Sequence, residues 1–188
     1  MEIYLVFSQR DLCAVIVLSL FLLLIAPPLL GVKSISFEDG YTFVRFSDGS
    51  FSLLSSIAVL LMAISTIALH EFLHLMSLKM VGVNFKLKPV TLFRLPIMIQ
   101  VDYEKIKIWQ YFVAALSPQA LTIVLIFTAY FAKNTFGALL ILSAILNFAS
   151  SSGDFYGIIK TLVKVKSVRG TIFKVGELKY IIRVDKKV

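Results

Sequence analysis

Four long apolar stretches limit the folds that this chain can adopt. Each comes close to the roughly 20 residues that an α-helix needs to cross the hydrocarbon core of a bilayer. The composition agrees, since 59% of the 188 residues are apolar and 16% are charged, against about 25% charged in a soluble domain. The sequence therefore predicts an all-α membrane core with four transmembrane helices. These stretches cover residues 12–30, 53–78, 111–131 and 136–159.

The first stretch favours a retained helix over a cleaved signal peptide. The segment before it carries Glu2, Arg10 and Asp11, so the positive n-region of a signal peptide is missing. Its apolar run is also longer than an ordinary signal sequence requires. Pro27 and Pro28 are predicted to end or kink this helix, because proline cannot continue a regular helix.

The positively charged residues predict the orientation of the helices. Sixteen of the 19 Lys and Arg residues lie in the N-terminus, residues 79–110 and residues 160–188. The loops at residues 31–52 and 132–135 hold the other three. Since Lys and Arg are enriched on cytoplasmic loops, both termini should be cytoplasmic. We expect a multi-pass protein of a prokaryotic cell membrane.

The segments outside the apolar stretches carry the alternating pattern of β-strands. Residues 34–51 alternate around Asp39-Gly40, a hairpin turn signal. Residues 83–101 alternate imperfectly and predict strands or a re-entrant hairpin. The C-terminal segment alternates at three places, which predicts a small β-rich tail. These places are residues 163–166, 171–175 and 180–184.

We divide the chain accordingly into two parts. Residues 1–160 form a transmembrane core of four helices, and residues 161–188 form a small basic β-rich cytoplasmic tail. The lysines of this tail are most simply explained as a solvated surface that faces the lipid headgroups.

The second apolar stretch contains the sequence His70-Glu71-Phe72-Leu73-His74. Histidines four residues apart lie on one face of a helix and can bind the same zinc ion. A Glu next to the first His is the general base of a metalloprotease. These are the only two histidines of the chain. Polar residues at a helix end would be an alternative, but the motif lies within a predicted span, where ionisable groups indicate function.

A third ligand is needed, because catalytic zinc usually has three protein ligands and one water. Asp154 is the remaining carboxylate inside an apolar segment, and its expected depth in the bilayer matches that of His70. The run Ser-Ser-Ser-Gly-Asp is also a loop signal, so Asp154 could instead cap a broken helix. We favour the ligand, because a buried unpaired carboxylate is costly in a membrane. The single cysteine, Cys13, has no motif around it.

Asn147 lies seven residues before Asp154, so the two residues share a helix face. Its amide could hydrogen-bond a substrate backbone or the oxyanion that forms during attack. Hydrogen bonding between helices is an equally good interpretation, since it is common for Asn in membranes. Both alternatives stay open here.

The pattern resembles the site-2 protease class of intramembrane zinc metalloproteases. It resembles more closely a small family of zincin peptidases that was first defined as a domain of unknown function. The resemblance covers residues 53–160. The matching features are His70-Glu71-x-x-His74, Ser117-Pro118 in the following span, and Asn147 through Ser152-Gly153-Asp154.

The resemblance implies a Zn²⁺ ion and a role for each matching residue. His70, His74 and Asp154 would bind the metal, Glu71 would act as the base, and Asn147 would contact substrate or the oxyanion. The chain departs from the site-2 pattern, which has Asn-Pro before the Asp and Gly after it. Here Phe148 follows Asn147, and Gly153 precedes Asp154.

We therefore expect a zinc-dependent, membrane-embedded metallopeptidase that cleaves membrane or membrane-proximal proteins, with a Glu-activated, zinc-bound water as nucleophile. Its partners would be a membrane protein or peptide substrate and the lipid bilayer. Nucleic acid is not an expected partner, because no basic stripe with interleaved stacking aromatics is present. The oligomeric state is left open.

Other functions fit the sequence less well. The main alternative is a catalytically inactive zincin-like membrane protein that binds or regulates membrane partners. A metal transporter would have ionisable groups throughout the membrane depth, and a di-iron protein would need two Glu-x-x-His motifs.

Overall fold

The structure is a computed structural model that describes residues 2–48, 50–92, 95–132, 135–166, 168–176 and 179–184. Five α-helices and nine β-strands lie in this part of the chain. The helices are α1 (Gln9–Leu29), α2 (Ser56–Met80), α3 (Ile108–Phe131), α4 (Thr135–Ser150) and α5 (Ser152–Val165). The strands are β1 (Glu2–Val6), β2 (Val32–Glu38), β3 (Tyr41–Phe46), β4 (Phe51–Ser55), β5 (Lys86–Leu92), β6 (Leu95–Asp102), β7 (Lys105–Lys107), β8 (Thr171–Gly176) and β9 (Lys179–Arg183).

Four helical segments are long and apolar enough to cross a membrane: α1, α2, α3, and α4 together with α5. The four predicted helical stretches are thus confirmed as helices. Only 11% of the most apolar part of α1 and of α2 is buried against protein, whereas 56% of the fourth segment is buried. The fourth segment is therefore the centre of the bundle, and α4 packs against α1, α2 and α3.

The fourth segment is broken at Ser151, within the Ser-Ser-Ser-Gly-Asp run whose loop signal was the alternative interpretation of this part of the sequence. The backbone of Ser151 has φ −75° and ψ 4°, and α5 begins at the next residue. The Ser151 hydroxyl donates a hydrogen bond of 3.0 Å to the Asn147 carbonyl, and the Gln119 amide of α3 donates to the same hydroxyl. These side chains satisfy polar groups that the break would otherwise leave without partners. The break places Asp154 in the first turn of α5.

A four-stranded antiparallel sheet brings the two ends of the described chain together, in the order β1-β9-β8-β7. Leu5 of β1 lies opposite Tyr180 of β9, and Ile106 of β7 lies opposite Ile172 of β8. The apolar face of this sheet packs on the ends of the helices, in a cluster that includes Leu78 and Val165. We call this sheet the terminal sheet.

The strands predicted at residues 171–175 and 180–184 are confirmed as β8 and β9. The strand predicted at residues 163–166 is wrong, because α5 continues to Val165. Gly157, Thr161 and Val165 are buried at four-residue intervals. This burial follows the period of an α-helix rather than the two-residue period of a strand. The last four tail residues, 185–188, lie outside the described part. The division into a core of 1–160 and a tail of 161–188 stays a prediction.

A three-stranded antiparallel sheet of β2, β3 and β4 connects α1 to α2. Its first hairpin turns at Asp39 (φ 47°) and Gly40 (φ 78°). Two successive residues with positive φ are typical of a type I′ turn, so the predicted hairpin is confirmed. The third strand, β4, was not predicted, because residues 53–55 were assigned to the apolar helix. Val44 and Leu54 are buried against Leu142 of α4.

The segment after α2 forms a second hairpin from β5 and β6. The strands or re-entrant hairpin predicted for residues 83–101 are confirmed in this form. The residues at its tip, 93 and 94, lie outside the described part of the chain.

A partly buried ion pair joins α5 to the start of α1. The Lys160 ammonium of α5 pairs with the Asp11 carboxylate and donates a hydrogen bond of 2.8 Å to the Val6 carbonyl. It also lies 4.6 Å from the centre of the Phe7 ring, and the Tyr156 hydroxyl donates to Asp11 as well. This cluster holds the far end of the helix that carries Asp154.

We expect Lys160→Met to lower the melting temperature by several degrees, because Asp11, only 8% exposed, would lose its ion pair. Thermal unfolding of the purified protein in detergent measures this change. Lys164→Met on the exposed side of the same helix is the matched control and should leave the melting temperature within about 1 °C, as for an ordinary surface substitution. An equal effect of both variants would show that the ion pair does not hold α5.

Candidate metal centre

Three side chains from two helical segments converge on one point. The Nε2 atoms of His70 and His74 lie 3.2 Å apart. The Asp154 Oδ2 atom lies 3.5 Å from the first and 3.3 Å from the second. All three predicted ligands are thus brought together, with Asp154 reaching the histidines from α5.

These spacings fit a tetrahedral zinc ion. Zinc binds His nitrogen and carboxylate oxygen at about 2.0–2.2 Å, which puts neighbouring ligands of a tetrahedron about 3.3–3.5 Å apart. The three observed distances of 3.2, 3.3 and 3.5 Å match this value. Two imidazoles and one carboxylate are also a donor set of catalytic zinc sites, in which the fourth position stays open. The residues present therefore fit a zinc ion.

The backbone of α3 fixes the orientation of His74. Its Nδ1 atom lies 2.7 Å from the Ala114 carbonyl oxygen. A carbonyl only accepts hydrogen bonds, so Nδ1 carries the proton and Nε2 keeps its lone pair for a metal. In a regular helix the Ala114 carbonyl would accept from the N–H of residue 118. Residue 118 is proline, which has no N–H, so this carbonyl lacks its helical partner. It accepts instead from His74 and from the Ser117 hydroxyl, which lies 2.8 Å away.

Asn147 fixes the orientation of His70 in the same way. The Asn147 amide nitrogen donates to the Pro118 carbonyl and to the Thr122 hydroxyl, both at 2.7 Å. The amide oxygen therefore faces the His70 Nδ1 atom, at 3.0 Å. It accepts the Nδ1 proton, which again leaves the Nε2 lone pair for the metal. The Ser150 hydroxyl lies 3.1 Å from the same Nδ1 atom.

The position of Asn147 bears on its two possible roles. The residue is fully buried, and both its amide nitrogen and its amide oxygen bind protein groups. These contacts join α4 to α2 and α3, so Asn147 makes the hydrogen bonds between helices that were one of its two predicted roles. The substrate or oxyanion contact stays a prediction.

Glu71 follows His70 in α2, but it is exposed, whereas His70 is buried and His74 and Asp154 are partly buried. The Asp154 side chain is 22% exposed, against 4% for His70. The ligand cluster is therefore closed by α3 and α4 on the His70 side and more open near Asp154. Cys13 is an exposed residue of α1 and does not belong to the cluster of possible metal ligands.

Sequence reasoning missed the groups that hold the two histidines, apart from Asn147. The Ala114 carbonyl, Thr122 and Ser150 were not predicted to contribute. The sequence singles out Pro118 only as part of the Ser117-Pro118 feature that matches the family, although its position four residues after Ala114 is the signal that this carbonyl lacks its helical partner.

One comparison with known proteins gives a match. A protein-family model described as "Putative zincin peptidase" matches residues 63–168, which is more than half of the chain. This region includes the three ligands, Glu71, and the residues of α3 and α4 that orient the histidines. Searches of curated proteins and of solved structures find no match.

We expect Pro118→Ala to weaken zinc binding by about 10–100-fold, the usual cost of losing a group that orients a metal ligand. The new N–H would bind the Ala114 carbonyl within the helix and compete with His74. Competition with a fluorescent zinc chelator measures the affinity. Pro28→Ala makes the same change at the end of α1, away from the ligands, and should leave the affinity unchanged. Equal affinities for both variants and the parent protein would contradict the proposed orientation of His74.

The role of Asn147 can be decided by separating metal binding from catalysis. If Asn147 orients His70, Asn147→Leu should lower zinc affinity by about 10–100-fold. If it contacts only substrate or the oxyanion, the variant should keep its zinc affinity and lose cleavage rate. Measuring zinc affinity and cleavage rate on the same preparation distinguishes these outcomes.

Proposed function

Since the chain belongs to the zincin peptidase family, we propose that it is a membrane-embedded zinc metallopeptidase that cleaves membrane or membrane-proximal proteins. The observation that carries this proposal is the convergence of His70, His74 and Asp154 at distances that suit one zinc ion. Glu71 follows His70 directly in the sequence, as the general base does in the H-E-x-x-H motif of zinc metalloproteases.

The bilayer location rests on the four apolar helical segments. Large apolar side chains cover the outside of these helices: Leu24 is 74% exposed and Tyr130 is 82% exposed. Exposed apolar surface of this extent would be unfavourable in water but suits contact with lipid. The excess of Lys and Arg in the N-terminal, 79–110 and 160–188 segments supports a cytoplasmic position for the terminal sheet.

Each residue of the centre has a distinct task in peptide hydrolysis. A zinc ion bound here would lower the pKa of its bound water towards 7 and polarise the substrate carbonyl. His70, His74 and Asp154 would hold this ion. Glu71 accepts the proton of the attacking water and passes it to the leaving amine, so that the peptide C–N bond breaks as the new C–O bond forms.

The exposure of Glu71 supports a cleft on its side of the centre. An ionised carboxylate that faced lipid in the middle of a span would be costly. We therefore infer that the surface around Glu71 is covered by water or by an unwound peptide when the protein lies in a bilayer. Unwinding is required, because the carbonyls of a helical substrate are already hydrogen-bonded.

A groove of about 1120 Å³ gives an extended peptide a place to bind. It is lined by residues 82–86, residues 102–107 and Gln110, among others. It begins at Gly82, just beyond the end of α2, which extends six residues past His74, or about 9 Å along the helix axis. In the described part of the chain, β7 pairs only with β8, and β5 pairs only with β6. The open strand edges suit addition of a peptide strand.

We expect Glu71→Gln to bind zinc with unchanged stoichiometry and to reduce the cleavage rate by about 10²–10⁴-fold, the usual contribution of a general base. A purified preparation in detergent or liposomes, incubated with a validated substrate, measures the rate. Glu38→Gln, an exposed substitution on β2 that lies outside both the centre and the groove, is the matched control. Full cleavage by the Glu71 variant would reject the proposed mechanism.

Zinc content separates an active enzyme from the inactive alternative. We expect about one zinc per chain in the parent protein, as in a mononuclear site, and loss of this zinc in both His74→Ala and Asp154→Ala. Zinc binding without cleavage of any membrane protein would favour a zincin-like protein that binds or regulates partners. Retention of zinc by Asp154→Ala would show that Asp154 is not the third ligand.

A further inference from the structure

The groove that begins at Gly82 carries an excess of positive charge. Four lysines and two carboxylates line it, namely Lys86, Lys105, Lys107 and Lys174, with Asp102 and Glu104. The Lys174 ammonium of β8 pairs with the Asp102 carboxylate of β6, which neutralises one charge of each sign. The other three lysines are exposed and make no ion pair with another residue of the described chain. The groove is therefore suited to a negatively charged occupant.

Two of these lysines have the spacing of an extended peptide. Lys105 and Lys107 are the exposed residues of β7, on either side of the buried Ile106, so both lie on the face of the terminal sheet opposite its apolar core. Two residues along a strand span about 7 Å. Side chains of an extended peptide alternate with the same period. A peptide that runs along β7 can therefore set every second side chain against a lysine.

The groove also adjoins the two helices that meet at His74. The Gln110 amide nitrogen of α3 donates a hydrogen bond of 2.7 Å to the Val81 carbonyl at the end of α2. The amide oxygen of the same side chain accepts from the backbone N–H of Lys107, at 2.9 Å. Gln110 lies one helical turn, about 6 Å, before Ala114, whose carbonyl binds His74. A peptide in the groove would thus lie on the cytoplasmic side of the metal centre.

We propose that this groove selects substrates whose extended cytoplasmic segment carries acidic side chains at alternate positions. The proposal rests on the proposed function, because it takes a substrate segment as the occupant. Opposite charges directly across two neighbouring strands stabilise their pairing, whereas like charges destabilise it. Acidic residues opposite Lys105 and Lys107 would therefore favour binding.

The same charges would exclude most other membrane proteins. Cytoplasmic segments next to a transmembrane helix usually carry an excess of Lys and Arg. Such a segment would bring its positive charges against the exposed lysines of the groove, and repulsion of a wrong partner contributes to specificity as much as attraction of the right one. The substrate class is therefore the smaller group of membrane proteins with acidic residues in this position.

Peptide binding to the full-length protein tests this proposal. Three short fluorescent peptides are compared, in which Glu, Gln or Lys alternates with Thr, a residue that favours the extended conformation. The protein is the Glu71→Gln variant in phosphatidylcholine nanodiscs, so that the peptides stay uncut, and fluorescence anisotropy measures the affinities. The groove variant is Lys105→Gln with Lys107→Gln. Its matched control is Lys164→Gln with Lys179→Gln, which removes two exposed lysines outside the groove.

We expect the Glu peptide to bind about fivefold more tightly than the Gln peptide, as two exposed ion pairs would provide, and the Lys peptide to bind most weakly. The groove variant should reduce the preference for Glu to less than about twofold, and the control should keep it. Equal affinities for the Glu and Gln peptides, or equal losses in both variants, would overturn the proposal. If the groove variant does not fold, about 1 M salt, which shortens the Debye length to about 3 Å, should remove the preference. A preference that persists at this salt concentration would likewise contradict the proposal.

Two further measurements separate this proposal from its alternatives. Nanodiscs that contain phosphatidylglycerol should give the same preference for Glu, and its loss there would assign the lysines to the membrane surface and overturn the proposal. Peptide binding does not require cleavage. Binding of the Glu peptide without cleavage of any membrane protein would therefore reject the proposed function and leave the acidic specificity of the groove in place. Cleavage of substrates at equal kcat/KM with and without acidic residues would reject the specificity alone.

Discussion

The metal centre depends on one carbonyl group of α3 that lacks its helical N–H partner. Pro118 has no N–H, so the Ala114 carbonyl accepts its hydrogen bond from His74 instead, at 2.7 Å. The Pro118 carbonyl, in turn, accepts from Asn147, which binds His70. Pro118 of α3 thus links α2 to α4, and the acceptors around it favour the tautomer of His70 and His74 in which Nδ1 carries the proton. Without these acceptors, nothing among the described residues would fix which nitrogen of His74 faces the metal.

The break in the fourth segment provides the third ligand. A continuous helix would carry Asp154 seven residues from Asn147, about 10 Å further along the axis. The turn at Ser151 changes this path, and α5 presents Asp154 from its first turn, where the partial positive charge of a helix N-terminus favours a carboxylate. The terminal sheet and the pair Lys160–Asp11 hold the other end of α5. The position of the ligand therefore depends on packing at both ends of this short helix.

The parts of the structure that could be predicted from the sequence have local signals. The helices follow from apolar length, the Asp39-Gly40 hairpin from its turn residues, and the pair His70 and His74 from helical spacing. To predict Asp154 as a ligand, its expected depth in the bilayer had to be compared with that of His70 on another helix. In the fold, the Asp154 carboxylate lies next to both histidines. The contacts of Ala114 and Thr122 depend on how α3 is rotated and shifted against its neighbours, which no local pattern encodes. β4 was missed because its short apolar run fits a helix as well as a strand. The strand predicted at residues 163–166 was wrong because its Val-Lys alternation is too short to distinguish a strand from the last turn of α5.

The arrangement of the histidines also bears on how strongly the protein can hold a metal. Free imidazole changes tautomer easily, and a ligand that must first be turned and deprotonated at Nε2 weakens binding. In this chain both rings already point their Nε2 lone pairs at Asp154, because protein acceptors occupy both Nδ1 atoms. Zinc binding would therefore require little reorganisation, and the free energy of binding would add to the stability of the helix bundle. A metal that joins α2 to α5 in this way closes the bundle around the residues that orient it.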